Sequence, residues 1–119
     1  MPAVQSQPLV GAEIERKPDI AQIYNVANSL QDYYRQSANP DDMLTQATFL
    51  DGVEIFRQTE FSSADLLLYA IGENAIISCM ALEALRLRES RLDNLGNLLE
   101  KLNDLSPWPR FFALRALNT

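Results

Sequence analysis

Met80-Ala81-Leu82-Glu83-Ala84-Leu85 recurs 32 residues later as Phe112-Ala113-Leu114-Arg115-Ala116-Leu117, and 32 residues earlier stands Thr48-Phe49-Leu50-Asp51-Gly52-Val53. Equal spacing aligns side chains by role. Leu50, Leu82 and Leu114 form one apolar column, and Val53, Leu85 and Leu117 form a second. Gly52, Ala84 and Ala116 form a column of small residues, which lets a neighbouring helix approach closely. Asp51, Glu83 and Arg115 form a polar column that is expected to face water. Self-similarity at a period of this length is the signature of a repeated supersecondary unit that buries its apolar face against the next copy. An earlier helix fits the same interval, because Leu66 and Leu67 align with Leu98 and Leu99. The first unit fits this part poorly, since Tyr34 and Arg35 fall there.

Working outward, the local signals are helical throughout. Ile20, Ile23, Ala27, Leu30 and Tyr34 recur at three- and four-residue steps and predict a helix from about Asp19 to Gln36. Asn39-Pro40-Asp41-Asp42 predicts the next start: Asn39 as cap, Pro40 at the first position, and two acids at the positive end of the dipole. That helix carries Leu44, Ala47, Phe49, Leu50, Val53 and Phe56. Ser62-Ser63-Ala64-Asp65 reads as a capping box opening a short third helix that Gly72 stops. Asn74 is expected to cap a fourth helix from Ala75 to about Arg88, and Ser90-Arg91-Leu92-Asp93 to open a fifth ending near Asp104. Ser106-Pro107 opens a sixth that ends near Leu117. No segment alternates with a strand's period of two. The predicted fold is all-α: six helices as three stacked antiparallel pairs, a short α-solenoid spanning residues 19–119 behind a flexible leader at residues 1–18.

The third unit, clearest over residues 95–117, resembles a HEAT repeat. Leu95-Gly96-Asn97-Leu98-Leu99-Glu100-Lys101-Leu102-Asn103-Asp104 matches the leucine-rich first helix with an Asp at its end. Arg110 follows six positions later at the start of the second helix, ahead of the alanine/leucine motif. The resemblance implies that Asp104 and Arg110 act as an inter-repeat structural pair, stitching successive turns together. The second unit departs from the pattern with Gly72 and Ser78 at these positions, and the first with Pro40 and Gln46. The apolar end at Leu114 and Leu117 leaves little room for a polar cap, so the chain is expected to be the N-terminal part of a longer protein.

Composition bounds the chemistry. The 119 residues are 47% apolar and 22% charged, as expected for a globular chain, with a formal net charge of -6. The charge is uneven: residues 1–70 carry all of it, and residues 71–119 are neutral. A phosphate backbone or an anionic membrane is repelled by the first part and not attracted by the second, so neither nucleic acid nor membrane is an expected partner. There is no signal peptide and no histidine, and the single cysteine, Cys79, cannot form an intrachain disulfide. These features suit a cytoplasmic protein. Cys79 lies in a helix interior and is expected to be a buried thiol rather than a nucleophile. Asp41 and Asp42 serve the helix dipole, and Asp51 with Glu54 reads as a solvated face. No phosphate-binding glycine loop, zinc pattern or nucleophile elbow is present, so no catalytic residue, cofactor or metal is assigned.

The functional expectation is therefore a non-catalytic protein–protein interaction or scaffolding module. Its helical surface would meet a protein partner or the rest of its own chain, and no small molecule is expected. The candidate partner-binding residues are Asp51, Glu54, Glu83, Arg86 and Arg115, along the second helices of successive pairs. The alternative is a compact helical regulatory domain of a larger ATPase or signalling protein. Three side expectations accompany this. Trp108 fills the groove between the fifth and sixth helices. Some of Tyr24, Tyr33 and Tyr34 is exposed. Arg86, Arg88 and Arg91 form a solvated helix end, neutralised by Glu83 and Glu89.

Overall fold

The computed structural model describes residues 20–58, 60–88 and 95–118. Among them the chain is helical with no strand, in the order α1 (Ile20–Ser29), α2 (Gln31–Gln36), a 3-10 helix (Pro40–Thr45), α3 (Ala47–Phe56), α4 (Ser63–Ala70), α5 (Ala75–Arg86), α6 (Leu95–Lys101), a 3-10 turn (Leu102–Asp104) and α7 (Pro107–Leu117). No described helix is long and apolar enough to cross a membrane. The leader at residues 1–18 and the predicted start of the fifth helix at Ser90–Asp93 lie outside the described residues.

Two of the start signals act as read. Ser62 Oγ accepts from the Asp65 amide at 3.0 Å while Asp65 Oδ2 accepts from the Ser62 amide at 3.1 Å, so a reciprocal capping box opens α4. Asn74 Oδ1 accepts from the amides of Ile76 and Ile77, both at 3.1 Å, and opens α5. Two other expectations are corrected. The first helix is not continuous: it breaks at Leu30 (φ -99°, ψ 0°) between α1 and α2. Ser29 Oγ donates to the Val26 carbonyl at 2.8 Å, a back-bond that bends helices, and Leu30 is buried at the bend. The second helix does not start at Asn39, whose side chain makes no capping bond. Pro40–Thr45 coils as a 3-10 helix, the Gln46 backbone is extended, and α3 begins at Ala47.

Helix α5 is the centre of the molecule. Every residue from 76 to 85 is buried, polar Ser78 and Glu83 included. A helix apolar on nearly all sides has no solvent face to offer. Helices α1, α3, α4 and α7 pack against it. The three copies of the repeated stretch fall on α3, α5 and α7, with α5 between the other two. The small-residue column holds, since Gly52, Ala84 and Ala116 are all buried. At Gly52 the need is steric: a Cβ there would stand 2.2 Å from Met80 Sδ and 3.2 Å from a Val26 methyl. Leu66 and Leu98, aligned on the first helices, are both fully buried.

The column of Leu50, Leu82 and Leu114 does not share one environment. Leu82 is fully buried, whereas Leu50 and Leu114 are each 42% exposed. The central helix is covered where the outer two are open. The first and third units also meet each other. Phe49 of α3 and Phe112 of α7 lie with ring centroids 5.5 Å apart, and Tyr34 of α2 meets Trp108 of α7 edge-on at 4.7 Å. Trp108 is half-buried, and its aromatic partner is the first unit's Tyr34 rather than a side chain of the sixth helix's immediate neighbour.

Candidate functional site

Of the five partner-binding candidates, the structure brings three together. Glu83 sits on α5 and is 3% exposed. Arg86, one turn later, forks onto it with Nε to Oε1 at 3.0 Å and Nη2 to Oε2 at 2.7 Å. Arg115 of α7 does the same from across the helix interface, Nε to Oε1 at 3.1 Å and Nη2 to Oε2 at 3.3 Å. The expectation that the polar column faces water is thereby corrected at Glu83. A carboxylate offers about four lone-pair sites, and four N–H groups fill them, which is what allows the charge to leave water. Burial works to raise the Glu83 carboxyl, but the hydrogen bonds and charges of Arg86 and Arg115 outweigh it and hold the group below the usual carboxylate range. Arg86 is held above its ordinary value by the same carboxylate, against a smaller effect of burial. This cluster locks α7 onto α5.

Asp51 and Glu54 stand apart on α3, both exposed. Glu54 pairs with Arg57 at 2.8 Å on the solvated surface, where such a pair contributes little. Asp104 and Arg110 do not form the pair implied by the HEAT resemblance. Arg110 Nη2 donates to the Leu105 carbonyl at 2.8 Å, and no ion pair among the described residues joins it to Asp104, which is exposed. This bond closes the turn between the 3-10 segment and α7 on itself.

Arg86 and Arg88 are not a solvated helix end. Arg88 donates through Nη2 to the carbonyls of Phe56 and Gln58, both at 3.1 Å, and to that of Phe61. Phe56 ends α3, so a guanidinium from just past the end of α5 satisfies the last carbonyl of that helix and joins the turn that follows it. Burial draws Arg88 below its ordinary value, and the charge of Asp65 opposes that effect. Cys79 is buried, and desolvation raises its thiol far enough that it stays protonated at neutral pH. Tyr34 is raised as well, by burial first and by Cys79 second. Tyr24 is half exposed, while Tyr33 and Tyr34 are partly covered. Among the described residues, no three His, Cys, Asp or Glu side chains gather to hold a metal ion.

A different face carries the most exposed of the large apolar side chains, Leu68. Between α4 and α6 runs a cleft of ≈ 150 Å³ lined by Leu67, Leu68, Ile71, Asn97, Glu100 and Lys101. Of the lining residues Leu68 is 67% exposed and Ile71 42%; Leu99, 61% exposed, stands on the other side of α6 from Asn97 and Lys101. The sequence held a signal for this that the column alignment passed over. Leu66-Leu67-Leu68 are three leucines in a row, and successive helical residues point about 100° apart, so all three cannot face one core. Leu98-Leu99 repeats the situation on α6, with Leu98 inside and Leu99 outside.

Comparison with known proteins found no matching family model, no matching curated protein and no matching solved structure. The functional reading therefore rests on the chain's own residues.

Proposed function

We propose that the chain is a non-catalytic protein-interaction module, built from HEAT-like helix pairs, that meets a protein surface through the cleft between α4 and α6. The observation that carries this is the exposure of Leu68 and Ile71, 67% and 42%, on the lining of an apolar cleft. Scattered surface leucines need no explanation, but several gathered around one concavity mark an interaction site. The helix-pair reading draws on the placement of α3, α5 and α7 side by side at the 32-residue interval. Glu83, Arg86 and Arg115 have an internal role in this proposal, and Asp51 and Glu54 remain candidates for a flanking polar contact.

Site-specific photo-crosslinking in cells tests it. A photoreactive residue at position 68 or 71 is expected to form covalent adducts with protein, and one at exposed position 41 is expected to form none. Equal labelling at all three positions, or none at any, would end the proposal.

The compact regulatory domain draws support from a separate observation. Tyr34–Trp108 and Phe49–Phe112 close the first unit onto the third, whereas an extended three-pair array keeps its end units apart. The two readings share the α4/α6 surface and differ in whether the partner belongs to the same polypeptide.

A further inference from the structure

We infer that residues 31–42 form a flap that swings as one piece about Leu30 and Met43 and is held shut by Tyr34 against Trp108. Burial marks the pivots. Leu30 is 4% exposed and Met43 is fully buried, and no residue between them is buried. The backbone leaves helical geometry at both margins of α2, at Leu30 (φ -99°, ψ 0°) and at Ser37 (φ -78°, ψ 144°). A segment that adds no buried side chain to the core opens at far lower cost than an enclosed helix such as α5. Its own polar bonds stay within it. Tyr33 Oη donates to the Asp42 carbonyl at 3.3 Å, and Arg35 pairs with Asp32. Swinging outward breaks neither bond, and the Tyr33 tie makes the two ends of the segment travel together.

The hold of this segment on the rest of the chain is aromatic. Tyr34 meets the Trp108 ring edge-on, with centroids 4.7 Å apart, and both tyrosines of α2 are only partly covered by the core. One edge-to-face pair is a weak latch that opens and re-forms readily. Its place in the fold gives it weight, because it is one of two ring pairs that close the first unit onto the third. The other, Phe49–Phe112, joins two fully buried rings and stays shut. The flap therefore loosens the tie between the end units while the core remains folded. It makes no use of the α4/α6 surface and stands or falls apart from it.

Relaxation-dispersion NMR of the full chain tests this, with the indole of Trp108, the one tryptophan, as a reporter. The amides of residues 31–42 and the Trp108 indole N–H are expected to exchange between two states on the microsecond-to-millisecond scale at one common rate, while the α5 amides show no exchange. Tyr34→Leu is expected to raise the open population about fivefold and to move the chemical shifts of the segment towards the minor state of the parent chain. Tyr33→Phe is expected to split the common rate in two, because it unties the ends of the segment. Absence of exchange in the parent chain, exchange shared with α5, Tyr34→Leu shifts that do not approach the minor state, or a common rate that survives Tyr33→Phe would each overturn the inference.

Discussion

At the scale of single residues, Glu83 shows how a charge becomes structural. Its side chain is only 4% exposed, while those of Arg86 and Arg115 are 20% and 35% exposed, so the carboxylate bears most of the desolvation. Removing its charge leaves two arginines aimed at a neutral group. Glu83→Gln is expected to lower unfolding stability by about 2 kcal/mol, below the 3–5 kcal/mol typical of fully buried pairs because Arg115 remains partly solvated. Chemical denaturation measures this at neutral pH. The pH dependence follows from the lowered carboxyl. An unfolded Glu titrates near ~4.3, so the folded chain holds its proton less tightly than the unfolded one. The stabilisation is therefore complete above that value and lost as pH falls through the lower, folded value. The gap between parent and Glu83→Gln is expected to close on acidification, and a gap that widens would contradict the geometry.

At the scale of elements, helix starts divide into those the side chains secure and those they do not. Ser62 and Asn74 each satisfy amides at the head of a helix, whereas Asn39 satisfies none. Ser62→Ala and Asn74→Ala are each expected to cost about 1 kcal/mol, and Asn39→Ala close to nothing, as read from shifts in the urea midpoint. Ser and Asn are both good caps, so propensity alone ranks the three positions together. They differ because Pro40–Thr45 winds as a 3-10 helix, with Thr45 Oγ1 donating to the Asp42 carbonyl at 2.7 Å. At the other end of α3, the Arg57 and Gln58 amides satisfy the carbonyls of Val53, Glu54 and Ile55, and Arg88, 32 positions further along the chain than Phe56, takes the Phe56 carbonyl.

At the scale of the whole molecule, segments distant in the chain close onto one another. Helix α5 is enclosed, and α7 reaches past it to the first unit through Phe112 and Trp108. This makes an energetic coupling that an open array lacks. A double-mutant cycle with Tyr34→Leu and Trp108→Leu is expected to give an interaction energy of about 0.5–1.5 kcal/mol, the range for edge-to-face aromatic pairs. Additive effects of the two substitutions would mean that the end units are energetically independent.

The sequence by itself determined that the described residues are helical with no strand, where α4, α5 and α7 begin, and that the small-residue column goes inward. Periodicity, a capping box and a small-residue column act within one or two turns, so neighbours in the chain are enough to read them. Leu66, Leu98, Gly52, Ala84 and Ala116 lie inside as their columns require. Only the tertiary structure decided which face of each helix remains open. The same repeat position is water-facing at Leu50 and Leu114 and sealed at Leu82, because α5 has neighbours on every side. Glu83 could go inside because its second arginine comes from another helix, and Arg88 could act as a cap because α3 ends beside it. The α4/α6 cleft follows the same rule. A polar group's burial, or an apolar group's exposure, is set by groups far away in sequence, and no short-range pattern encodes where those will stand.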